Sequence, residues 1–337
     1  MKHYTATYNA GETSRNVRSF VRSHHDDFIN LLKTVGPFLL ILFFASTFLT
    51  HHAMDNMITQ IQQKAETIKQ TAETTGVSAN SPATTKTLER ELKKSILSEF
   101  MNPHMLLSYG ISLLMGYLFA VIAISWHRLI LLGEDHYRPM KIFAPQKHEI
   151  EFLIALAIIS AVIPFTLQIF ALSQFSMNSG LVMLLFPISI LLIYAYFKIS
   201  FYFPAKAVNA SIDFKTSFYL TKGYFWKMFG AYIFSSWRVS LAMFGVIMGL
   251  SFAIMPVAIL SSTGEGGSPS LMIVIQSLVY LPIILYFQPL LTVLGVSVLS
   301  NYYQHALQNK QPPQVKQQQN AADMNKTRQA LDKEGEL

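Results

Sequence analysis

The chain has 337 residues, of which 51% are hydrophobic and only 13% charged, with a formal net charge of +7 and no cysteine. A charged share near half the soluble average of about 25% disfavours a water-soluble domain. The missing thiols exclude disulfides, thiolate metal sites and cysteine nucleophiles.

The first 30 residues are polar and include Asp26 and Asp27, so no cleavable signal peptide is expected. Six apolar runs then follow: Gly36 to Met54, Met105 to His127, Phe152 to Leu172, Gly180 to Phe203, Phe229 to Leu260, and Leu271 to Asn301. Crossing a hydrocarbon core takes about 20 apolar residues in a helix, so each run is long enough to span. The expected fold is an all-α polytopic membrane protein with six transmembrane helices, residues 36–300 forming the membrane domain.

The charges orient it. Lys and Arg flanking spans stay on the cytoplasmic side. Of the 26 basic residues, nineteen fall before run one, between runs two and three, at the end of run four (Lys198) or between it and run five, and in the tail. Ser173 to Ser179 and Ser261 to Ser270 carry none. Both termini are therefore expected in the cytoplasm of a bacterial inner (cytoplasmic) membrane. Attraction to anionic membrane lipids then accounts for the net charge, and no nucleic-acid partner is expected.

Residues 1–35 read as a cytoplasmic amphipathic segment. Between runs one and two, 55–103 reads as a helical hairpin on the outer face. Ile58, Ile61, Ala65, Ile68 and Ala72 form a heptad-like seam, and Leu88, Leu92, Ile96 and Phe100 a second stripe. The two stripes either pack on each other or form a surface for a protein partner or a second copy of this chain. Residues 205–227 mix Phe214, Phe218, Tyr219, Tyr224, Phe225 and Trp226 with lysines, as a headgroup-level segment does, and Gly223 permits a bend. Ser19, Phe20, Ser23 and Phe28 before run one echo Ser217, Phe218, Thr221 and Phe225 before run five. The tail, 301–337, ends in a Gln- and Pro-rich stretch whose composition predicts disorder.

Chemistry is sparse. The middles of the six runs lack Asp, Glu and Lys, which argues against a proton carrier using a buried carboxylate. Gln168, Gln276 and Gln288 are the interior amides, suited to hydrogen bonds between helices or to holding a substrate. Pro164, Pro187, Pro256, Pro282 and Pro289 predict kinks. His51, His52 and His104 fall at the outer ends of helices one and two, but adjacent histidines diverge on a helix, and no metal, cofactor or catalytic residue is assigned. His127 and Glu134, seven apart, share a face if the helix continues, and Arg128 is placed to pair with Glu134. No His-Glu-x-x-His, Gly-x-Ser-x-Gly or phosphate-binding Gly-rich loop occurs.

Trp126-His127-Arg128 through Leu132-Gly133-Glu134, Phe203-Pro204-Ala205, and Ser217-Phe218 leading to Thr221-Lys222-Gly223-Tyr224-Phe225-Trp226 resemble motifs of poorly characterised bacterial inner-membrane proteins. These are the YciC-like proteins and the membrane domain attached to some glycerophosphodiester phosphodiesterases. The resemblance spans most of residues 105–300 and implies an envelope-membrane role without catalytic residues. The first-loop hairpin departs from that pattern. The expected function is a non-enzymatic scaffold or accessory subunit contacting partners through the hairpin and the cytoplasmic surface. The alternative is a transporter or channel for a small or amphipathic molecule. His127, Arg128, Glu134, Gln168, Gln276, Gln288, Trp226 and Lys222 are the candidate functional residues.

Overall fold

A computed structural model describes residues 6–74, 103–158, 179–263, 277 and 279–309. It is all-helical, with no strand among the described residues. The elements are α1 (Ala10–Ser23), α2 (His25–Thr74), α3 (Pro103–Leu132), α4 (147–158), α5 (Ser179–Ile199), α6 (Tyr202–Ala207), α7 (Phe214–Leu220), α8 (Phe225–Thr263) and α9 (Gln288–Asn309). Among the described residues, four stretches are long and apolar enough to cross a membrane: His25–His52, Leu106–Leu132, Phe225–Ala253 and Val279–Asn309. Between 11% and 44% of each is covered by the rest of the chain. Ile41, Phe48, Leu113 and Leu241 stand exposed on them. Water would penalise such surfaces and hydrocarbon would not, consistent with a multi-pass membrane protein. The third expected span lies mostly in 159–178, outside the described residues; its start belongs to α4.

The chain divides into two compact units. The first comprises Met1–Leu31, Phe119–Leu241 and Pro289–Leu337, the second Leu32–Leu118 and Ala242–Gln288.

In unit 1, Asn9 starts α1 by accepting the Gly11 and Glu12 amides on Oδ1 at 2.9 and 3.4 Å. Thr13, Ser14, Val17 and Val21 then bury one face, the stripe an amphipathic helix presents to a core. The aromatic-lysine segment is two short helices and two tight turns. Asp213 caps α7 by accepting the Thr216 amide at 2.8 Å, and Gly223 turns the chain into α8 at φ +84°, where a Cβ would be strained. Gly295 on α9 lets α8 approach closely, since a Cβ there would lie 3.2 Å from the Tyr232 ring.

The Thr216 hydrogen bonds hold the Asp213 carboxyl below its ordinary value. A depressed carboxylate contributes in full above that ordinary value, and the contribution fades as pH falls through the lowered one. Asp213→Ala is expected to cost about 1 kcal/mol, the usual worth of an N-cap. Faster amide hydrogen exchange confined to α7 and its flanks would report it, and unchanged exchange there would refute the cap's role.

The sequence echo has a local counterpart. Ser23 Oγ donates to the Phe20 carbonyl at 2.9 Å, and Thr221 Oγ1 donates to the Phe218 carbonyl at 3.1 Å. Each bond closes the end of a short helix just before a long one. The likeness stops there, because Ser217 is fully buried whereas Ser19 is exposed.

Unit 2 contains the rest of α2, the first half of α3 and the second half of α8. Val35, Leu39 and Phe43 bury a stripe at spacing four, and Thr50 Oγ1 and Ser108 Oγ lie 2.9 Å apart. Helix α2 carries Pro37 inside it and runs unbroken to Thr74, so the Ile58–Ala72 seam lies on continuous helix. The return arm, including Leu88 to Phe100, lies outside the described residues. Of the expected kinks, Pro282 and Pro289 bracket a π-helical turn, Ile283–Phe287. Pro289 lacks the amide that would bond the carbonyl four residues back, and a widened turn relieves that loss. His52 and His104 meet edge to face, ring centres 4.9 Å apart. Among the described residues no group of three or more His, Asp or Glu side chains is placed to hold a metal ion.

Candidate functional site

The polar centre of unit 1 is built on one turn of α3. Consecutive helical residues point about 100° apart, so Ser125, Trp126, His127 and Arg128 sample the whole circumference. Each finds a different partner. Ser125 Oγ accepts the Met140 amide at 3.0 Å, pinning the strap that follows α3. Trp126 Nε1 donates to Ser297 Oγ at 2.8 Å while its ring meets Phe20 and Phe28 edge-on. His127 Nδ1 and Ser300 Oγ share a hydrogen bond of 2.7 Å. Both residues are fully buried.

Arg128 has the richest set. Its Nη2 pairs with Glu149 Oε1 at 2.7 Å and donates to His148 Nε2 at 3.0 Å. Nε donates to the Ala207 carbonyl at 2.8 Å, and Nη1 to the Arg138 carbonyl at 3.4 Å. Helix α6 ends at Ala207, so the cation sits on free carbonyls at a negative helix end. Glu149 lies in the first turn of α4 and reaches back to accept the Gln146 amide at 2.5 Å, which is half of a capping box. One ion pair thus closes the end of one helix and the start of another. Beside it, Lys206 Nζ pairs with Glu151 Oε2 at 2.5 Å, which holds the Glu151 carboxyl low.

Burial and the neighbouring guanidinium both push His148 below its ordinary value of 6.5. Its lone pair is accepting from Arg128, so protonation would set two cations together. The fold disfavours the charged imidazole, and stability is lost as pH falls below about 6.5, the unfolded value. His148→Gln is expected to flatten the acid side of a thermal-midpoint profile between pH 7 and 5. An unchanged slope would assign the acid sensitivity elsewhere.

Helix α9 answers α3 with Ser297, Ser300 and Asn301, one face at spacings of three and four. Asn301 is fully buried and clasps the N-terminal strap: its Oδ1 accepts the Thr7 amide at 3.1 Å, and its Nδ2 donates to the Thr7 carbonyl at 2.8 Å. Nearby, Tyr8 stacks on His305, whose Nδ1 lies 2.9 Å from the Tyr224 hydroxyl. Desolvation pushes the Tyr224 phenol up to about 12, keeping it neutral.

The sequence-marked residues separate. His127 and Arg128 lie within this junction. Glu134 pairs with neither; its carboxylate takes His24 Nε2 at 2.9 Å on the rim, with its own side chain 56% exposed. A helix continuing past Leu132 would have kept it on the His127 face, but Gly133 turns the chain at φ +76°. Arg128, free of Glu134, pairs with Glu149 instead. Trp226, in the first turn of α8, and Lys222, in the turn before it, are surface residues. Gln288 is exposed at the end of the π turn. Gln168 and Gln276 lie outside the described residues. Sequence reasoning missed Glu149, Ser297, Ser300 and Asn301. Two signals were present: Gln146 and Glu149 at capping-box spacing before an apolar run, and polar residues at helical spacing inside run six.

Comparison with protein-family models, with curated proteins and with solved structures returned no match. The geometry alone carries the reading. His127 joins α3 to α9 through Ser300, and Arg128 joins α3 to α6 and α4 through the Ala207 carbonyl and Glu149.

Proposed function

We propose that this is a six-helix protein of the bacterial inner membrane, with both termini in the cytoplasm and 55–103 projecting outside as a helical hairpin. It acts non-enzymatically, as a scaffold or accessory subunit. One observation carries this reading. The polar side chains best suited to chemistry, His127 and Arg128, are buried and committed to bonds between helices, while the exposed residues of unit 1 include Phe143, 83% exposed, and Trp226, 76% exposed. A rigid body with an aromatic surface is suited to contact rather than turnover. The resemblance to YciC-like proteins is in keeping with an envelope role; of the residues that carry it, Trp126 to Arg128, Phe203 to Ala205, Ser217, Thr221 and Tyr224 are buried in unit 1, whereas Phe218 and Trp226 are exposed.

The natural absence of cysteine makes topology directly testable. An impermeant maleimide applied to intact spheroplasts is expected to label Asn80→Cys and Gly266→Cys. Gln146→Cys and Asn320→Cys should react only after permeabilisation. The opposite pattern would invert the assignment. For the scaffold role, deleting Met57 to Leu97 is expected to lower the mass of the native assembly on a blue native gel. An unchanged assembly would remove the hairpin as a contact surface.

The π turn between Pro282 and Pro289 favours a second reading, transport of a small or amphipathic molecule, because such turns recur at functional sites. Proteoliposomes showing neither ion conductance nor dye flux would set it aside.

A further inference from the structure

The Ser14 hydroxyl is buried without a hydrogen-bond partner. Ser14 is 1% exposed, and a helical serine ordinarily satisfies itself by bonding the carbonyl four residues back. Instead Ser14 lines an open groove of about 450 Å³ between the start of α1 and one face of α8. Arg15, Arg18 and Arg238 line the same groove, with Phe234 and Trp237 as its apolar wall. Arg18 Nη1 donates to the Phe234 carbonyl at 2.7 Å and so ties α1 to α8, leaving its other donors for the groove. The Arg238 guanidinium lies 5.6 Å from the Trp237 ring centre, within cation–π range.

We propose that this groove binds the phosphodiester headgroup of an anionic membrane phospholipid. Three guanidinium groups present planar forks of donors that match phosphoryl oxygens, and the Ser14 hydroxyl supplies a short neutral donor beneath them. The first amides of α1 are already taken by Asn9, so the arginines and Ser14 hold the anion. Glu12 also lines the groove. Its carboxylate opposes the phosphate and suits a hydroxyl donor on the headgroup, which favours a glycerol-type lipid over a bare phosphate.

A lipid is preferred to a soluble phosphate ester because of the wall. Phe234, Trp237, Arg238 and Leu241 share a face of α8 at helical spacing. Only 11% of the most apolar stretch of this helix is covered by the rest of the chain, leaving a track for acyl chains. An arginine within such a helix needs a counter-ion, and a tryptophan beside it marks headgroup depth. The inference rests on the membrane-spanning reading above.

The chain has three tryptophans, and Trp126 is fully buried. In full-length Trp226→Phe protein the accessible indole is therefore Trp237. This protein is reconstituted in phosphatidylcholine and titrated with dibrominated phosphatidylglycerol. Trp237 fluorescence is expected to quench saturably at low mole fraction, while dibrominated phosphatidylcholine quenches only in proportion to its amount. Arg15→Gln with Arg238→Gln should raise the half-saturation about tenfold or more, as loss of charge-assisted hydrogen bonds does, and Ser14→Ala a few-fold. Circular dichroism of each variant verifies that it is folded.

Identical curves for the two lipids, or for wild type and the double variant, would overturn the proposal. Displacement of the brominated lipid by millimolar sn-glycerol 3-phosphate would overturn the lipid assignment in favour of a soluble ester. Alkaline carbonate extraction keeps the two readings apart. If it strips the protein from native membranes, the membrane reading itself fails; a protein that resists extraction yet shows no lipid preference refutes the groove alone.

Discussion

Arg128→Ala is expected to be among the most damaging single changes in unit 1, costing about 3–5 kcal/mol, as removal of one partner from a buried ion pair does. Glu149 is 2% exposed, so its carboxylate would stay in a poorly solvated place with the Gln146 amide as its remaining partner. The Ala207 carbonyl at the end of α6 would lose its donor as well. At roughly 2–4 °C per kcal/mol, the thermal midpoint of the detergent-solubilised protein should fall by several degrees. A fall of one or two degrees would mean that water or a neighbour replaces the guanidinium. Replacing both partners, Arg128→Met with Glu149→Leu, should recover much of the loss, because no buried charge is then stranded. Recovery should stop short of wild type, since Glu149 also caps α4, a role worth about 1 kcal/mol.

The second large effect is at Trp126, fully buried and bonded to Ser297. Trp126→Ala is expected to cost about 3–5 kcal/mol through lost burial and the cavity left behind. Trp126→Phe keeps most of the packing against Phe20 and Phe28 and gives up the indole N–H. Ser297 Oγ would still donate to the Val293 carbonyl at 2.7 Å, so nothing is orphaned and the cost should stay near 1 kcal/mol. Comparing thermal midpoints of the two variants separates packing from bonding. If Phe proves as damaging as Ala, the hydrogen bond carries more than the ring does.

The helical class and the apolar stretches were legible because hydropathy at helical length is a strong local signal. Gly223 was legible for a similar reason, a residue type that announces a turn. The π turn was half-visible: Pro282 and Pro289 marked a disturbance without giving its form. The Arg128 partner was not legible. Seven-residue spacing pointed to Glu134, and one glycine, Gly133, removed that option by ending the helix. Glu149 lies 21 positions along the chain from Arg128, and only tertiary folding brings the two together. Ser14 and the Arg15–Arg18–Arg238 groove were hidden likewise, because α1 and Arg238 lie far apart in the chain and only folding brings them together.

The Asn301 clasp has a consequence for biogenesis. Its two backbone bonds join residues 294 positions apart. At about 5–20 residues per second, Thr7 leaves the ribosome roughly 15–60 s before Asn301. During that interval Thr13, Ser14 and Val17 await their final neighbours, and newly inserted chains should be open to membrane proteases. The clasp closes only once Asn301 on α9 has arrived. Chains halted before Asn301 should turn over quickly in a pulse-chase, even with their first spans correctly inserted.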